Sequence, residues 1–352
     1  MKIAYIIPSL KNTGPIIVVH SLTKYLLTKQ HKIDIYYFDD TKQKLTFDCP
    51  CYCIKFSQPL QFDKYDIIHS HCFRSDIYVY KWRNKIKNSI IISTIHQDTF
   101  ELFKERYNYL IAIFITKYWY FIQSKFDGII CISDFLKNQC NRRISTELKT
   151  IYNGCSIEKN YKLNINVVEK LSNIKKQFKV LGSYAFITKG KGLQQVISIL
   201  NKMDDYAFVI IGDGPFLEKL KQMSYDYGVE NRVFFLPYTT NPYKYLQYFD
   251  VYMMPSYSEG FGLAMVEAAL HKKAIVCSEL PSFKEIFTHN EVSFFELNNK
   301  KSLLNAIDFA YCHKNELGHM AYNKAKTNFT AEVMSNNHLL YYNQLLKNKH
   351  KN

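Results

Sequence analysis

The run Pro255-Ser256-Tyr257-Ser258-Glu259-Gly260-Phe261-Gly262-Leu263-Ala264-Met265-Val266-Glu267-Ala268-Ala269 decides how this chain is read. Two carboxylates eight residues apart, Glu259 and Glu267, flank a Gly-Phe-Gly turn that leads into a small, apolar helix. Glycines at 260 and 262 let the backbone approach a ligand closely. A helix starting near Leu263 aims its free N–H groups at whatever rests on the turn, which makes an anion site. Glu267 falls about one turn into that helix, and a carboxylate among apolar neighbours needs a partner. Upstream, Asp250-Val251-Tyr252-Met253-Met254-Pro255-Ser256 reads as a buried strand ending in a turn. The pair then lies at a strand's carboxyl end, where ligands bind in open α/β sheets. A ligand with phosphate at the turn and hydroxyls at the glutamates satisfies every group. The competing reading is a plain strand, glycine turn and buried helix.

On either side the chain alternates short β-rich runs with helical patterns. In the first half, Ile3–Ile7, Ile33–Phe38, Ile67–His69, Ile90–Thr94 and Gly128–Ile132 are candidate strands, and Thr150–Gly154 a last short strand and turn. The second half restarts with strands at Phe178–Ser183, Tyr206–Ile211, Arg232–Leu236, Asp250–Met254 and Ala274–Cys277, and helices at Leu193–Asn201 and Phe216–Tyr227. Such alternation predicts an α/β protein of two Rossmann-like domains with parallel sheets. The expected division is 1–160 for the first domain, 161–176 for a polar linker, 177–330 for the second domain and 331–352 for a C-terminal helix packing back toward the first.

At 352 residues, 47% of them hydrophobic, the chain can build two cores. Met1-Lys2 runs straight into a strand, and no apolar stretch is long enough to span a bilayer, so a cytoplasmic location is expected. Lys and Arg number 46 against 31 Asp and Glu, formally +15. Nucleic acid, anionic lipid and phosphorylated substrates all suit that balance. No zinc finger, RNP-type strand or long basic arm is present, so a nucleic-acid partner is not expected. The charge clusters locally at Arg74, Lys81, Arg83, Lys85 and Lys87 and in the tail at Lys347, Lys349 and Lys351. Cys49, Cys51 and Cys53 alternate, and His69 and His71 form a pair, but neither set has the further ligands of a zinc site. Reduced thiols and satisfied strand-end histidines are the expected reading, with no metal.

The 255–269 run resembles the hallmark segment of family-four retaining glycosyltransferases, which have the GT-B fold of two Rossmann-like domains facing across a cleft. The resemblance extends over nearly the whole chain and is strongest from Lys191 to Glu285. It implies a nucleotide-sugar donor, with Glu267 on the ribose hydroxyls and Glu259 by the transferred sugar. The backbone N–H groups of Gly262 and Leu263 would complete the sugar and phosphate contacts, and Gly260 and Phe261 are donor-binding candidates beside them. The family grips the diphosphate with a Gly-Arg near one strand end and a Lys-Gly at the next helix. Lys191 is assigned that lysine by helix phase, with Lys189 as the alternative, whereas Gly182 is followed by Ser183 and Tyr184 where the arginine would stand. Val209–Pro215 resembles the family's Gly-x-Gly beside the nucleotide and makes Gly212 and Gly214 donor-binding candidates. Gly14-Pro15 matches the glycine-containing first loop, and is equally readable as a simple strand-to-helix turn. His96, ending a strand after Ser93-Thr94-Ile95, takes the family's histidine that leans over the donor sugar.

The resemblance implies a retaining transfer of a hexose or related sugar to a glycan acceptor, without a metal or other cofactor. Bacterial enzymes building capsule, O-antigen or lipopolysaccharide are the nearest functional likeness. A soluble small acceptor and an inactive binding subunit are the alternatives. The stretch Phe100–Phe121 is unusually aromatic. With the basic cluster at 74–87 it is either an interfacial helix on an anionic membrane, suiting a lipid-linked acceptor and a peripheral place on the inner face, or a buried helix of the first domain.

Overall fold

The computed structural model describes residues 1–41, 44–104, 107–156 and 163–349. The chain forms two compact units, one of residues 1–156 with 328–352, the other of residues 157–327. The first runs β1 (Lys2–Ser9), α1 (Gly14–Thr28), β2 (Lys32–Asp39), β3 (Cys51–Cys53), β4 (Ile67–His71), α2 (Phe73–Trp82), β5 (Ile90–Ile95), α3 (Thr99–Lys104), α4 (Tyr109–Gln123), β6 (Gly128–Cys131), α5 (Asp134–Cys140) and β7 (Leu148–Thr150). The second runs α6 (Ile165–Gln177), β8 (Lys179–Phe186), α7 (Leu193–Ile197), β9 (Tyr206–Asp213), α8 (Leu217–Asp226), β10 (Val233–Leu236), β11 (Val251–Met254), α9 (Leu263–Leu270), β12 (Ala274–Ser278), α10 (Pro281–Ile286), β13 (Ser293–Phe295), α11 (Lys300–Cys312) and α12 (Lys314–Asn328). The last helix, α13 (Ala331–Lys349), returns to the first unit.

Each unit is built on one parallel sheet, ordered β3-β2-β1-β4-β5-β6-β7 in the first and β10-β9-β8-β11-β12-β13 in the second. The central strands are unbroken apolar runs, as sheets covered on both faces require. Ile3–Ile7 and Ala207–Ile211 are buried throughout. In both sheets the chain reverses direction of build beside the first strand laid down, β1 and β8 respectively, so the loops after β1, β4, β8 and β11 collect at one end of their sheet. That end is where an open α/β sheet binds ligands.

Polar side chains fix the helices of the first unit. Asp76 of α2 is fully buried and accepts from Ser70 Oγ of β4 (2.6 Å), Ser93 Oγ of β5 (2.7 Å), and Trp119 Nε1 (2.6 Å) and Gln123 Nε2 (3.1 Å) of α4. Four donors on one carboxylate tie two strands and two helices together. From α13, Tyr341 and Tyr342 are buried in the same unit.

Three differences from the sequence reading have physical causes. Residues 165–177, covering most of the expected linker 161–176, are helical: Leu171 and Ile174 are buried at a three-residue spacing that the surrounding lysines and asparagines mask. The aromatic stretch 100–121 is not one helix but parts of α3 and α4, and Asn108 caps the second by accepting from Ile111 N. Strands β3 and β13 were not expected, because three residues are too few to show a period.

Candidate functional site

In the second unit the loops after β8 and β11 are joined by hydrogen bonds. Tyr257 N–H donates to Gly190 O (2.8 Å), and Gln195 Nε2 donates to Pro255 O (2.9 Å). Gly192 sits at φ +68°, and a Cβ there would stand 1.8 Å from Pro255 O, so only glycine permits this approach. The closure delivers Lys191 to Glu259: Nζ lies 2.6 Å from Oε1, which also accepts from Ser256 Oγ at 2.9 Å. Both side chains retain some solvent access, 32% for Lys191 and 16% for Glu259. Lys189 is exposed on the same turn.

Gly262, at φ +84°, is the N-cap of α9, and no side chain caps the helix. A Cβ there would press on the Phe283 ring at 2.7 Å, so the turn leading from Glu259 into the helix depends on this glycine twice over. The N-terminal end of α9 carries the partial positive charge of its first N–H groups. Phe261 is buried, so any contact it offers a ligand comes from its backbone. Gly260 and Leu263 flank the same turn.

Glu267 stands one turn into α9. Tyr184 Oη donates to its Oε2 at 2.7 Å, and burial raises its carboxyl to about pKa 7, partly offset by that hydrogen bond. Among the described residues this is the one hydrogen bond its carboxylate receives. Ser183, where the expected arginine would stand, is buried, and the next residue supplies the tyrosine. Gly212 and Gly214 pack on the carbonyls of Ala185 and Ile187, where a Cβ would come within 2.0 and 2.3 Å. The fold alone thus explains both glycines.

The first unit holds a different set at the ends of β4 and β5. His96 follows β5 and shares a 2.8 Å hydrogen bond between its Nε2 and Nδ1 of buried His71. His69 bonds Tyr342 Oη through Nδ1 (2.6 Å) and Thr94 Oγ1 through Nε2 (2.7 Å). The His69 ring lies 4.3 Å from His71 and 5.9 Å from His338 of α13. Burial holds all four imidazoles down, His96 to about pKa 3 and His338 to about 4, so the cluster is neutral at physiological pH. Gly14 opens α1 with nothing within 4 Å of a Cβ, so the fold itself does not demand glycine there.

Sequence reasoning named Lys191, Glu259, Glu267 and His96 but missed their partners Ser256, Tyr184 and His338. Tyr184 had a signal, since it adjoins the position at which an arginine was expected. His338 had none, because it arrives from the chain's far end. Among the described residues no group of three or more His, Cys, Asp or Glu side chains could hold a metal ion, and the cysteines are free thiols. Among the described residues no helix is long and apolar enough to cross a membrane.

Two family models match: "Glycosyltransferase Family 4" over residues 14–159 and "Glycosyl transferases group 1" over residues 164–327. The O-antigen biosynthesis glycosyltransferase WclY of Escherichia coli is 29% identical over 99% of both chains. Among solved structures, sucrose-phosphate synthase from Thermosynechococcus elongatus superposes with a TM-score of 0.82 at 15% identity, covering 99% of this chain and 100% of that one. Anabaena Alr3699/HepE in complex with UDP and glucose gives 0.80 at 17% identity, covering 97% and 99%. These structures share the GT-B fold, and with both halves matched, the chain belongs to the family-four glycosyltransferases.

Proposed function

We propose that this glycosyltransferase moves a hexose or related sugar from a nucleoside-diphosphate donor to a lipid-linked glycan, with retention of anomeric configuration, in synthesis of an O-antigen, capsule or lipopolysaccharide. The O-antigen role of the Escherichia coli relative supports the pathway class, and UDP with glucose in the Anabaena structure supports the donor class. One observation carries the reading: Lys191 and Glu259 are paired at 2.6 Å beside the N-terminus of α9, the helix that also bears Glu267.

Each group then has a task. Glu267 accepts the ribose hydroxyls, and the α9 N-terminus and Lys191 neutralise the diphosphate as it departs. Lys189, exposed on the same turn, takes part of the charge that an arginine at 183 would have met. Glu259 holds Lys191 in place before the donor arrives and orients sugar hydroxyls afterwards. In the transfer, the bond from C1 to the β-phosphate oxygen breaks while the acceptor oxygen bonds C1 from the same face, and the acceptor proton passes to the departing phosphate. By the family likeness alone, neutral His96 takes the part of the histidine that hydrogen-bonds the donor sugar without adding charge. No metal is required in this scheme, and the protein works from the cytoplasmic side as a peripheral enzyme.

Calorimetry with UDP-, GDP-, ADP- and dTDP-sugars on the wild type and on Glu267→Ala tests the reading. Selective binding of one donor, weakened in the variant and unchanged by a chelator, is the expected result. Absence of binding to every donor would sink it.

A further inference from the structure

Helix α4 has two unlike faces. Ala112, Thr116, Trp119, Ile122 and Gln123 are buried, and the bonds from Trp119 and Gln123 to Asp76 set the roll of the helix. Two residues along an α-helix turn the chain by about 200°, so the opposite face carries Leu110, Phe114, Tyr118 and Phe121. All four are exposed, Phe114 at 73% and Leu110 at 67%, and Tyr109 and Ile111 join them. Water-facing apolar residues occur singly on any protein, but a stripe the length of a helix marks a contact surface.

The charges around the stripe select the partner. Residues 107–126 contain no Asp or Glu, and Lys117 lies exposed among the apolar residues. At the C-terminal end the Lys125 ammonium sits 5.2 Å over the Phe121 ring, and Phe121 meets Tyr80 of α2 edge-on at 6.0 Å. The Arg83 guanidinium covers Tyr80 at 4.2 Å, and Lys81 and Lys85 flank Trp82 beside it. Aromatic rings interleaved with cations suit the boundary between anionic headgroups and acyl chains. A second copy of this chain is a poorer occupant, since it would bring the same cations face to face.

We propose that the outer face of α4, with the Tyr80–Lys85 corner at the end of α2, is the surface by which the protein docks on an anionic bilayer, lying in the interface without crossing it. The proposal deepens the lipid-linked reading and rests on it only for the reason the enzyme visits a membrane. It also assigns the aromatic stretch both roles that its sequence allowed, one to each face of the helix.

Vesicle flotation tests it, with phosphatidylcholine alone against equal parts phosphatidylcholine and phosphatidylglycerol. The full-length protein is expected to float with the mixed vesicles, and added salt to weaken the association. Leu110→Glu combined with Phe114→Glu, and separately Lys117→Glu with Lys125→Glu, should each lower it by at least about tenfold. Melting temperature and donor binding should be unchanged, since all four residues are exposed and distant from Asp76 bonding. Wild type that binds donor but neither vesicle overturns the docking proposal alone, whereas wild type that binds no donor overturns the transfer reading. Vesicle binding unaffected by either double variant also overturns the docking face. A concentration-dependent dimer in light scattering, lost in the Leu110/Phe114 variant, would assign the face to a second copy and overturn it too.

Discussion

Each unit buries a carboxylate near the ends of its central strands, and the two are treated in opposite ways. Asp76 accepts four hydrogen bonds from its own chain, is fully enclosed and has no capacity left. Glu267 accepts one, from Tyr184, and keeps partial access to solvent. Burial raises both, Asp76 to about pKa 6 and Glu267 to about 7, so the shift alone does not tell structure from site. The count of donors does. A saturated carboxylate fastens elements together, and an unsaturated one near a helix N-terminus has lone pairs to offer a ligand.

Removing each group should therefore break different things. Asp76→Ala takes the acceptor from the Ser93 hydroxyl and the Trp119 indole N–H and leaves Ser70 and Gln123 only their longer bonds to Ile92 O and Ser93 Oγ, at a cost of about 3–5 kcal/mol of stability. That is a large part of a typical domain's total, and denaturant unfolding will show it as an early transition. Glu267→Ala should alter stability by less than about 1 kcal/mol while weakening donor affinity about 10- to 100-fold, the worth of hydrogen bonds to a charged acceptor. If the two variants exchange these phenotypes, the distinction by donor count is wrong.

The two carboxylates also predict opposite uses of pH. A folded-state value above the unfolded one near 3.9 means that Asp76 contributes stability below that pH and loses it as pH rises through about 6. The slope should vanish in Asp76→Asn, and urea titrations of both proteins across that window measure it. Glu267 must be ionised to accept two ribose hydroxyls, so donor affinity should rise as pH passes through about 7 and level off above it. Calorimetry on Glu267→Gln should find weaker binding with that rise removed. A rise of equal size in the variant would assign it to another group.

What the sequence shows and hides follows from the same physics. Central strands such as Ile3–Ile7 and Tyr206–Ile211 are legible because burial on both faces demands uninterrupted apolar residues. The edge strand Cys51–Cys53 needs no such run, and α6 buries only a narrow stripe among lysines. Lys191, Glu259 and Glu267 are marked in the sequence by the glycines that shape their turns. Their partners are brought by tertiary structure, Tyr184 from one strand over and His338 from the end of the chain. The aromatic density of α4 is plain in the sequence, but its division into an inner and an outer face depends on Asp76, more than thirty residues earlier.

The smallest expected effect is the sharpest test of how Glu267 is held. Tyr184→Phe removes only the hydroxyl that donates to Oε2, and leaves the ring against Tyr252, whose centroid is 5.1 Å away. One hydrogen bond to a partly buried carboxylate corresponds to about a five- to tenfold loss of donor affinity. The same hydroxyl lowers the carboxyl's pKa, so its loss should move the pH midpoint of donor binding upward. A tyrosine that merely packs would leave that midpoint in place, and a phenylalanine would then serve as well. The midpoint measured for Tyr184→Phe thus decides whether the residue beside the missing arginine positions the ribose-binding glutamate or only fills space beneath it.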